Sequence, residues 1–168
     1  MRLVFKWFLS ITLAILAMAV VPMMVMAASY TDSLRGAEYY ATSTEGRFGG
    51  TATGALPGSW YIDVFHTPLS PNATITGGTF SLGTVINVQP TTITGNFAKG
   101  IVALTSGFSG CGNQTYALGG DLVNVGPQGS SHSGTGTFNG VLTHYRYSLY
   151  DYCITYGASV TGTVNLYF

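Results

Sequence analysis

The C-terminal segment 154–168 alternates between apolar and polar side chains over almost its whole length. Because successive side chains of a β-strand point to opposite faces, this period of two predicts one long strand with one buried face. Gly157 and Gly162 inside it predict bends, as in a strongly curled sheet. The apolar set is Ile154, Tyr156, Ala158, Val160, Val164, Leu166 and Phe168.

Segments of similar β character fill the chain after residue 46. Thr, Val, Ile and aromatic residues are frequent there, and clusters of Gly and Pro separate the runs. About six to eight antiparallel strands must close into a barrel or split into two packed sheets to bury their apolar faces. Long strands with internal glycines favour an all-β, barrel-like antiparallel meander, and a β-sandwich is the alternative. The other predicted strands are 46–55, 59–66, 74–86, 92–105, 114–125 and 135–147.

The segment 28–45 is polar and mixed, and we predict it to be a lead-in to a single β domain over 46–168. A helical turn fits residues 33–40, but Gly36 and the Thr/Ser run that follows disfavour a long helix.

The N-terminus carries Arg2 and Lys6 and then no charged side chain from Trp7 to Thr31. A basic start, a long apolar run, a helix-breaking Pro22 and small residues before Ala28 are typical of a signal peptide. We therefore predict that 1–27 is cleaved and that the protein is secreted. The alternative is an uncleaved anchor that holds the β domain outside the cell. In that case residues 7–27, which are long enough to cross a bilayer, are the only membrane contact.

Charge is scarce after residue 27. Four basic residues face six acidic ones, a balance of 4 − 6 = −2. Nucleic-acid binding requires clustered Lys and Arg that displace counterions, and electrostatic membrane binding requires a polybasic patch. Neither cluster is present, so we expect no nucleic-acid partner. The charged residues are Arg35, Arg47, Lys99 and Arg146 against Asp32, Glu38, Glu45, Asp63, Asp121 and Asp151.

The two cysteines, Cys111 and Cys153, predict one disulfide, because an even pair in an exported protein is usually bridged. The bridge would close a loop of about 42 residues, which corresponds to about 4 kcal/mol in the chain-entropy model. The chain has no Cys-x-x-Cys motif, so a metal or redox site is the weaker alternative. We expect no metal and no cofactor.

No catalytic motif is present: the chain has no nucleophile elbow, zinc-protease helix, phosphate loop or dinucleotide fingerprint. Asp63 with His66, and His144 with Arg146 and Asp151, are the local groups that acid–base chemistry would use. A structural role is the more common use of such residues, so we predict no catalytic residue.

Four tyrosines beside a cation and an acid occupy 144–153. Tyrosine combines a flat apolar face with a polar tip and is common at recognition surfaces. These residues either face a ligand or pair across a hairpin that caps the core. With an early aromatic pair they form the candidate ligand-binding set: Trp60, Tyr61, His144, Tyr145, Arg146, Tyr147, Tyr150 and Tyr152.

The run Gly58-Ser59-Trp60-Tyr61 resembles the Gly-x-Trp-Tyr opening of lipocalin and avidin barrels, which enclose small ligands. The resemblance covers four residues, and the lipocalin Thr-Asp-Tyr signature is missing, so it assigns no family. It implies that Trp60 plugs one barrel end while the tyrosines line or border a cavity. If the resemblance has no structural meaning, Trp60 is simply a core residue.

Three functions fit these features. The first is a non-enzymatic extracellular domain that binds a small molecule, a glycan or a surface partner, and a closed barrel with an apolar cavity favours it. The second is a surface-coat protein, which an exposed uncharged edge strand favours. The third is a small barrel isomerase or cyclase. His144 lying in one pocket with Asp63 or Asp151 would favour it. Asn72 and Asn113 match the glycosylation pattern and matter only if the secretory pathway uses it.

Overall fold

A computed structural model of the protein describes residues 27–131 and 133–168. The predicted signal segment 1–27 lies outside the described residues except for Ala27. Eight β-strands and no helix are found in the described part of the chain. The strands are β1 (Ser29–Ala41), β2 (Glu45–Gly54), β3 (Gly58–His66), β4 (Ala73–Ile86), β5 (Gln89–Ser106), β6 (Gln114–Pro127), β7 (Gly134–Leu149) and β8 (Tyr152–Tyr167).

The eight strands form one closed antiparallel barrel. Each strand pairs with the next one along the chain, and β8 pairs back with β1, Ser29 opposite Tyr167 and Gly36 opposite Val160. This confirms the predicted barrel-like meander and rules out the sandwich alternative.

The segment 28–45 differs from its prediction, because most of it is strand β1 rather than a lead-in. β1 alternates as a strand does, with Asp32 and Leu34 buried and Ser33 and Arg35 exposed. Its inward face carries only two large apolar residues, Tyr30 and Leu34, which Asp32 separates and Gly36 follows. The hydrophobic signal that normally indicates a strand is therefore nearly absent from β1.

The predicted alternation of β8 holds from Ala158 onward and fails before it. Tyr145 pairs with Gly157 and Arg146 with Thr155, so Tyr156 is an extra residue at a bulge. Tyr156 is exposed, and its ring packs near those of Tyr145 and Tyr147. We call Tyr145, Tyr147 and Tyr156 the outer tyrosine cluster.

The two ends of the barrel differ. The loops 55–57 and 87–88, the residues 128–131 and 133 between β6 and β7, and the described residues Ala28 and Phe168 lie at one end, which we call the closed end. Large apolar side chains fill this end of the barrel. The loop 55–57 is held over it by Asp32, whose carboxylate accepts a hydrogen bond from the Leu56 N–H (2.7 Å). The fully buried apolar residues include Trp60, Leu82, Ile93, Val125 and Leu166.

Trp60 occupies the barrel interior because its neighbour Gly36 has no side chain. A Cβ on Gly36 would lie 2.7 Å from the indole of Trp60 and 2.2 Å from the carbonyl oxygen of Gly49. The indole N–H of Trp60 donates to the carbonyl of Thr51 (3.0 Å), which satisfies its polar atom.

The opposite end, which we call the open end, carries the loops 42–44, 67–72, 107–113 and 150–151. Cys111 in the third loop forms a disulfide with Cys153 at the start of β8, with a Cα–Cα distance of 5.3 Å. The predicted pairing of the cysteines is confirmed. The bridge ties the β5–β6 loop to the β7–β8 hairpin.

Replacing both Cys111 and Cys153 by Ser should lower the free energy of unfolding by about 2–4 kcal/mol, because the unfolded chain then loses its cross-link. Denaturant unfolding of the oxidised protein and the double variant measures this difference. Peptide mapping without reductant should recover the two cysteines in one linked peptide pair, and two free thiols in exported material would contradict the assignment.

Candidate functional site

The open end leads into a cavity of about 60 Å³ inside the barrel. This volume holds a few water molecules or one slim apolar group, and it is far below the size of sites for drug-sized ligands. Inward-facing side chains of the strands supply almost the whole wall. The apolar lining residues are Ala41, Phe48, Trp60, Ile62, Val64, Leu69, Ile75, Phe97, Val102, Leu118, Phe138, Leu142 and Val160.

One polar pair lies within this apolar wall. Glu38 of β1 and His144 of β7 both line the cavity, with Glu38 Oε2 2.7 Å from His144 Nε2. Their side chains are 10% and 16% exposed, respectively. An ionised carboxylate only accepts hydrogen bonds, so Nε2 is the donor and carries the proton. His144 Nδ1 has no hydrogen-bond partner among the described residues, which leaves it available to a ligand.

The end of the β1–β8 pairing explains how Glu38 reaches a residue two strands away. That pairing stops at Gly36 and Val160, while β7 and β8 continue as a hairpin in which His144 pairs with Ala158. Extending the β1–β8 register would place Ala158 beside Glu38. Because alanine presents only a methyl group, the carboxylate can approach the imidazole across β8.

Tyr116 of β6 supports His144 from the other side. The two rings pack edge-on, with centroids 5.4 Å apart and an interplanar angle of 61°. The Tyr116 hydroxyl donates to Gln114 Oε1 (3.1 Å). Burial raises the pKa of Tyr116 above its ordinary value, with a smaller opposing effect of Arg146. Tyr116 therefore stays neutral and keeps its hydroxyl proton at physiological pH.

Further polar side chains lie where the cavity meets the open end. His66 Nδ1 is 2.8 Å from the carbonyl of Thr67, so Nδ1 donates and Nε2 is left as an acceptor. Glu45 also lines the cavity, and its carboxylate accepts a hydrogen bond from Arg47 Nε (2.7 Å). The mouth of the cavity is thus polar while its wall is apolar.

Arg47 connects the mouth to the outer surface. Its Nε lies 3.5 Å from Asp63 Oδ2, and its guanidinium stacks over the ring of Tyr40 at 4.8 Å. Partial burial raises the pKa of Asp63, and the charge of Arg47 opposes that shift.

Two of the eight candidate ligand-binding residues, Trp60 and His144, lie together in the cavity wall. Tyr61 is exposed on the outer face of β3, and Arg146 is half-buried in β7. Ligand-binding roles outside the cavity stay predictions. The other four are Tyr145 and Tyr147 in the outer tyrosine cluster, and Tyr150 and Tyr152 at the open end.

The acid–base pairings considered from the sequence differ from the observed one. Asp63 contacts Arg47 and Asp151 lies in an exposed turn, whereas Glu38 is the carboxylate that binds His144. Sequence reasoning missed Glu38 because it assigned residues 28–45 to a lead-in. The spacing of Asp32, Leu34, Gly36 and Glu38, every second residue, was the only available signal.

Within residues 27–131 and 133–168, no group of His, Cys, Asp and Glu side chains is arranged to hold a metal ion. The same residues contain no helix that is long and apolar enough to cross a membrane.

Comparison with known proteins adds no family to this description. No protein-family model, curated protein or solved structure matches the chain. The four-residue resemblance to lipocalins and avidins therefore has no wider support, and the function must be argued from the cavity itself.

Replacing Glu38 by Ala should lower the free energy of unfolding by about 1–3 kcal/mol, because it leaves the largely buried His144 without its partner. In a double-mutant cycle with His144→Ala, the losses of unfolding free energy from the two substitutions should be non-additive by at least about 0.5 kcal/mol. Denaturant unfolding measures each variant.

The matched control is the exposed pair Lys99 and Asp121, whose charged atoms lie 3.2 Å apart. Asp121→Ala should cost no more than about 1 kcal/mol, since water screens exposed ion pairs. Two results would show that the cavity pair contributes no specific interaction. One is that Glu38→Ala and His144→Ala lower the unfolding free energy additively, and the other is that Glu38→Ala and Asp121→Ala lower it equally.

Proposed function

We propose that this protein is a secreted, non-enzymatic binding protein that holds a small amphiphilic molecule in its barrel. The apolar part of the ligand lies against the cavity wall, and its polar head hydrogen-bonds to Glu38 and His144. The observation that carries this proposal is a closed barrel whose apolar cavity contains one buried polar pair.

The chemistry of the wall supports this ligand class. Binding sites for small molecules are concave and mostly apolar, with a few polar groups that fix the orientation of the ligand. Trp60 lies near the closed end of β3, whereas Glu38 lies three residues before the open end of β1. An amphiphile therefore fits with its apolar end inward and its head towards the mouth.

The ligand head must match two groups of different character. The Glu38 carboxylate accepts hydrogen bonds, while His144 Nδ1 can accept in the neutral ring and donate in the charged one. A hydroxyl or amide head, which both donates and accepts, suits this pair. The small cavity volume limits the apolar part inside the barrel to a slim group such as one short alkyl chain.

The closed fold favours this function over the surface-coat alternative, while the disulfide fits the extracellular location that both share. An edge strand that recruits copies of the chain needs a long unpaired side, but each strand of the barrel pairs with two neighbours. The disulfide between Cys111 and Cys153 is consistent with an extracellular location.

Binding can be followed through Trp60, because Trp7 is the only other tryptophan and is absent from a chain of residues 28–168. We expect saturable quenching of Trp60 fluorescence by terminally brominated straight-chain alcohols of about two to four carbons, which suit a cavity of about 60 Å³. Bromoalkanes without a hydroxyl head should bind more weakly, because nothing then hydrogen-bonds to Glu38 and His144.

Val102→Phe should weaken this binding at least ten-fold by filling the cavity, to which Val102 contributes. Val141→Phe is the matched control, because Val141 is exposed on the outer face of β7. Circular-dichroism melting shows that both variants are folded. Absence of saturable quenching by every alcohol, or equal binding by the two variants, would overturn the proposed function.

A second candidate function is an acid–base enzyme such as an isomerase or cyclase, and the Glu38–His144 pair is the observation that favours it. A carboxylate that accepts from one imidazole nitrogen orients the ring and leaves the other nitrogen to take up or release a proton. His144 lines an apolar cavity, where a bound carbon acid would be shielded from water.

Mass spectrometry after incubation of a bound ligand in D₂O separates the two functions. A binding protein returns the ligand with its carbon-bound hydrogens intact. An acid–base enzyme incorporates deuterium or changes the isomer, and His144→Gln should slow this at least about 100-fold, the usual contribution of a general base. Unchanged ligand with the native protein would eliminate the enzyme candidate.

A further inference from the structure

The large apolar side chains that remain exposed are concentrated at the open end. Three of its four loops each present one: Leu69, Phe108 and Tyr150, of which Phe108 is 69% and Tyr150 91% exposed. Leu149 and Tyr152 flank Tyr150 and are also exposed. Large apolar groups from separate loops at one end are the pattern of an interaction surface.

The adjoining strand ends continue this surface. Exposed aromatic side chains occur within five positions of the open-end loops in β1, β3, β7 and β8: Tyr39, Tyr40, Phe65, Tyr147 and Tyr156. By the same measure, the closed end has fewer exposed large apolar side chains among the described residues: Tyr61, Val85, Val88 and Tyr167.

The four loops at this end carry little charge. Asp151 is the only charged residue in the loops 42–44, 67–72, 107–113 and 150–151. The adjoining strand ends carry Glu38, Glu45, Arg47, Asp63 and Arg146, and Arg47 there bonds to Glu45 and lies 3.5 Å from Asp63. Burying the loops themselves therefore requires little desolvation of charge.

We propose that the open end docks on a lipid surface and that the cavity receives its ligand from that surface. Tyrosine and phenylalanine are suited to the membrane–water interface, where an apolar face meets lipid and a polar tip meets water. The cavity opens at this same end, so an alkyl chain passes from lipid into the barrel without crossing bulk water. The ligand part of this inference rests on the proposed function, and the docking part does not.

The loops that carry the apolar side chains are held in place before docking. The Asn72 amide oxygen accepts from the Leu104 N–H (3.0 Å), and the Asn113 amide oxygen accepts from the Arg146 N–H (3.2 Å). Cys111 is fixed by its disulfide to Cys153. A surface that is already ordered loses less conformational entropy on binding.

This docking adds a contact to the one expected from the sequence, in which only residues 7–27 reach a membrane. It also differs in kind from polybasic binding, because the driving force is burial of apolar surface. It should therefore operate on uncharged lipid and persist in salt.

The experiment uses residues 28–168, which retain all eight strands of the closed barrel. The protein should co-sediment with phosphatidylcholine vesicles. Addition of about 0.5 M NaCl shortens the Debye length to a few ångströms and should not release the protein from them. The double variant Phe108→Ser with Tyr150→Ser should partition at least ten-fold more weakly. A second variant, Phe65→Ser, tests the adjoining end of β3, where Phe65 is exposed and outside the cavity lining, and should also weaken binding.

The matched control is Val85→Ser with Val88→Ser, which removes exposed apolar side chains at the closed end and should leave partitioning unchanged. Circular-dichroism melting verifies the fold of each variant. The docking proposal is overturned if the native chain stays in solution or if the open-end variants and the control variant lose binding equally. It is also overturned if binding requires phosphatidylglycerol and disappears in salt. A protein partner then remains as the alternative occupant.

The two proposals fail separately. Vesicle binding with no quenching of Trp60 by alcohols contradicts the cavity function alone. Quenching by alcohols with no vesicle binding contradicts the docking alone.

Discussion

The rest of the structure depends on the pairing of the first strand with the last. Ser29–Gly36 of β1 pairs with Val160–Tyr167 of β8, and Ala28 and Phe168 extend it with two backbone hydrogen bonds. This pairing turns an eight-strand meander into a closed barrel, so that inward side chains from the first and last strands share one interior. The same pairing stops at Gly36 and Val160, and beyond that point Glu38 approaches His144.

The Glu38–His144 pair is an unusual occupant of an apolar interior. Removing two polar groups from water is unfavourable, and their mutual hydrogen bond offsets that cost without making the pair a strong source of stability. A hydrophobic pair of similar size would fill the same space. The proposed ligand, whose head needs a partner inside the cavity, accounts for a polar pair at the level where the apolar wall meets the polar mouth.

The barrel was predictable, and the site was not. The alternation in β8 and the repeated Gly-punctuated runs predict antiparallel strands that must close, and the even pair Cys111 and Cys153 predicts the bridge. β1 escaped prediction because its inward face carries Asp32, Gly36 and Glu38 rather than a run of apolar residues. The contact between Glu38 and His144 spans 106 positions and depends on the closing register, which sequence periodicity does not contain.

The measurement that tests this account most directly is the set of intermolecular nuclear Overhauser effects between an unlabelled straight-chain alcohol of about four carbons and the isotope-labelled chain 28–168. The account predicts contacts from the alkyl protons to Phe97, Phe138 and the Trp60 indole, and from the protons beside the hydroxyl to His144. Contacts confined to Tyr145, Tyr147 and Tyr156 on the outer surface would contradict it, because the ligand would then lie outside the barrel.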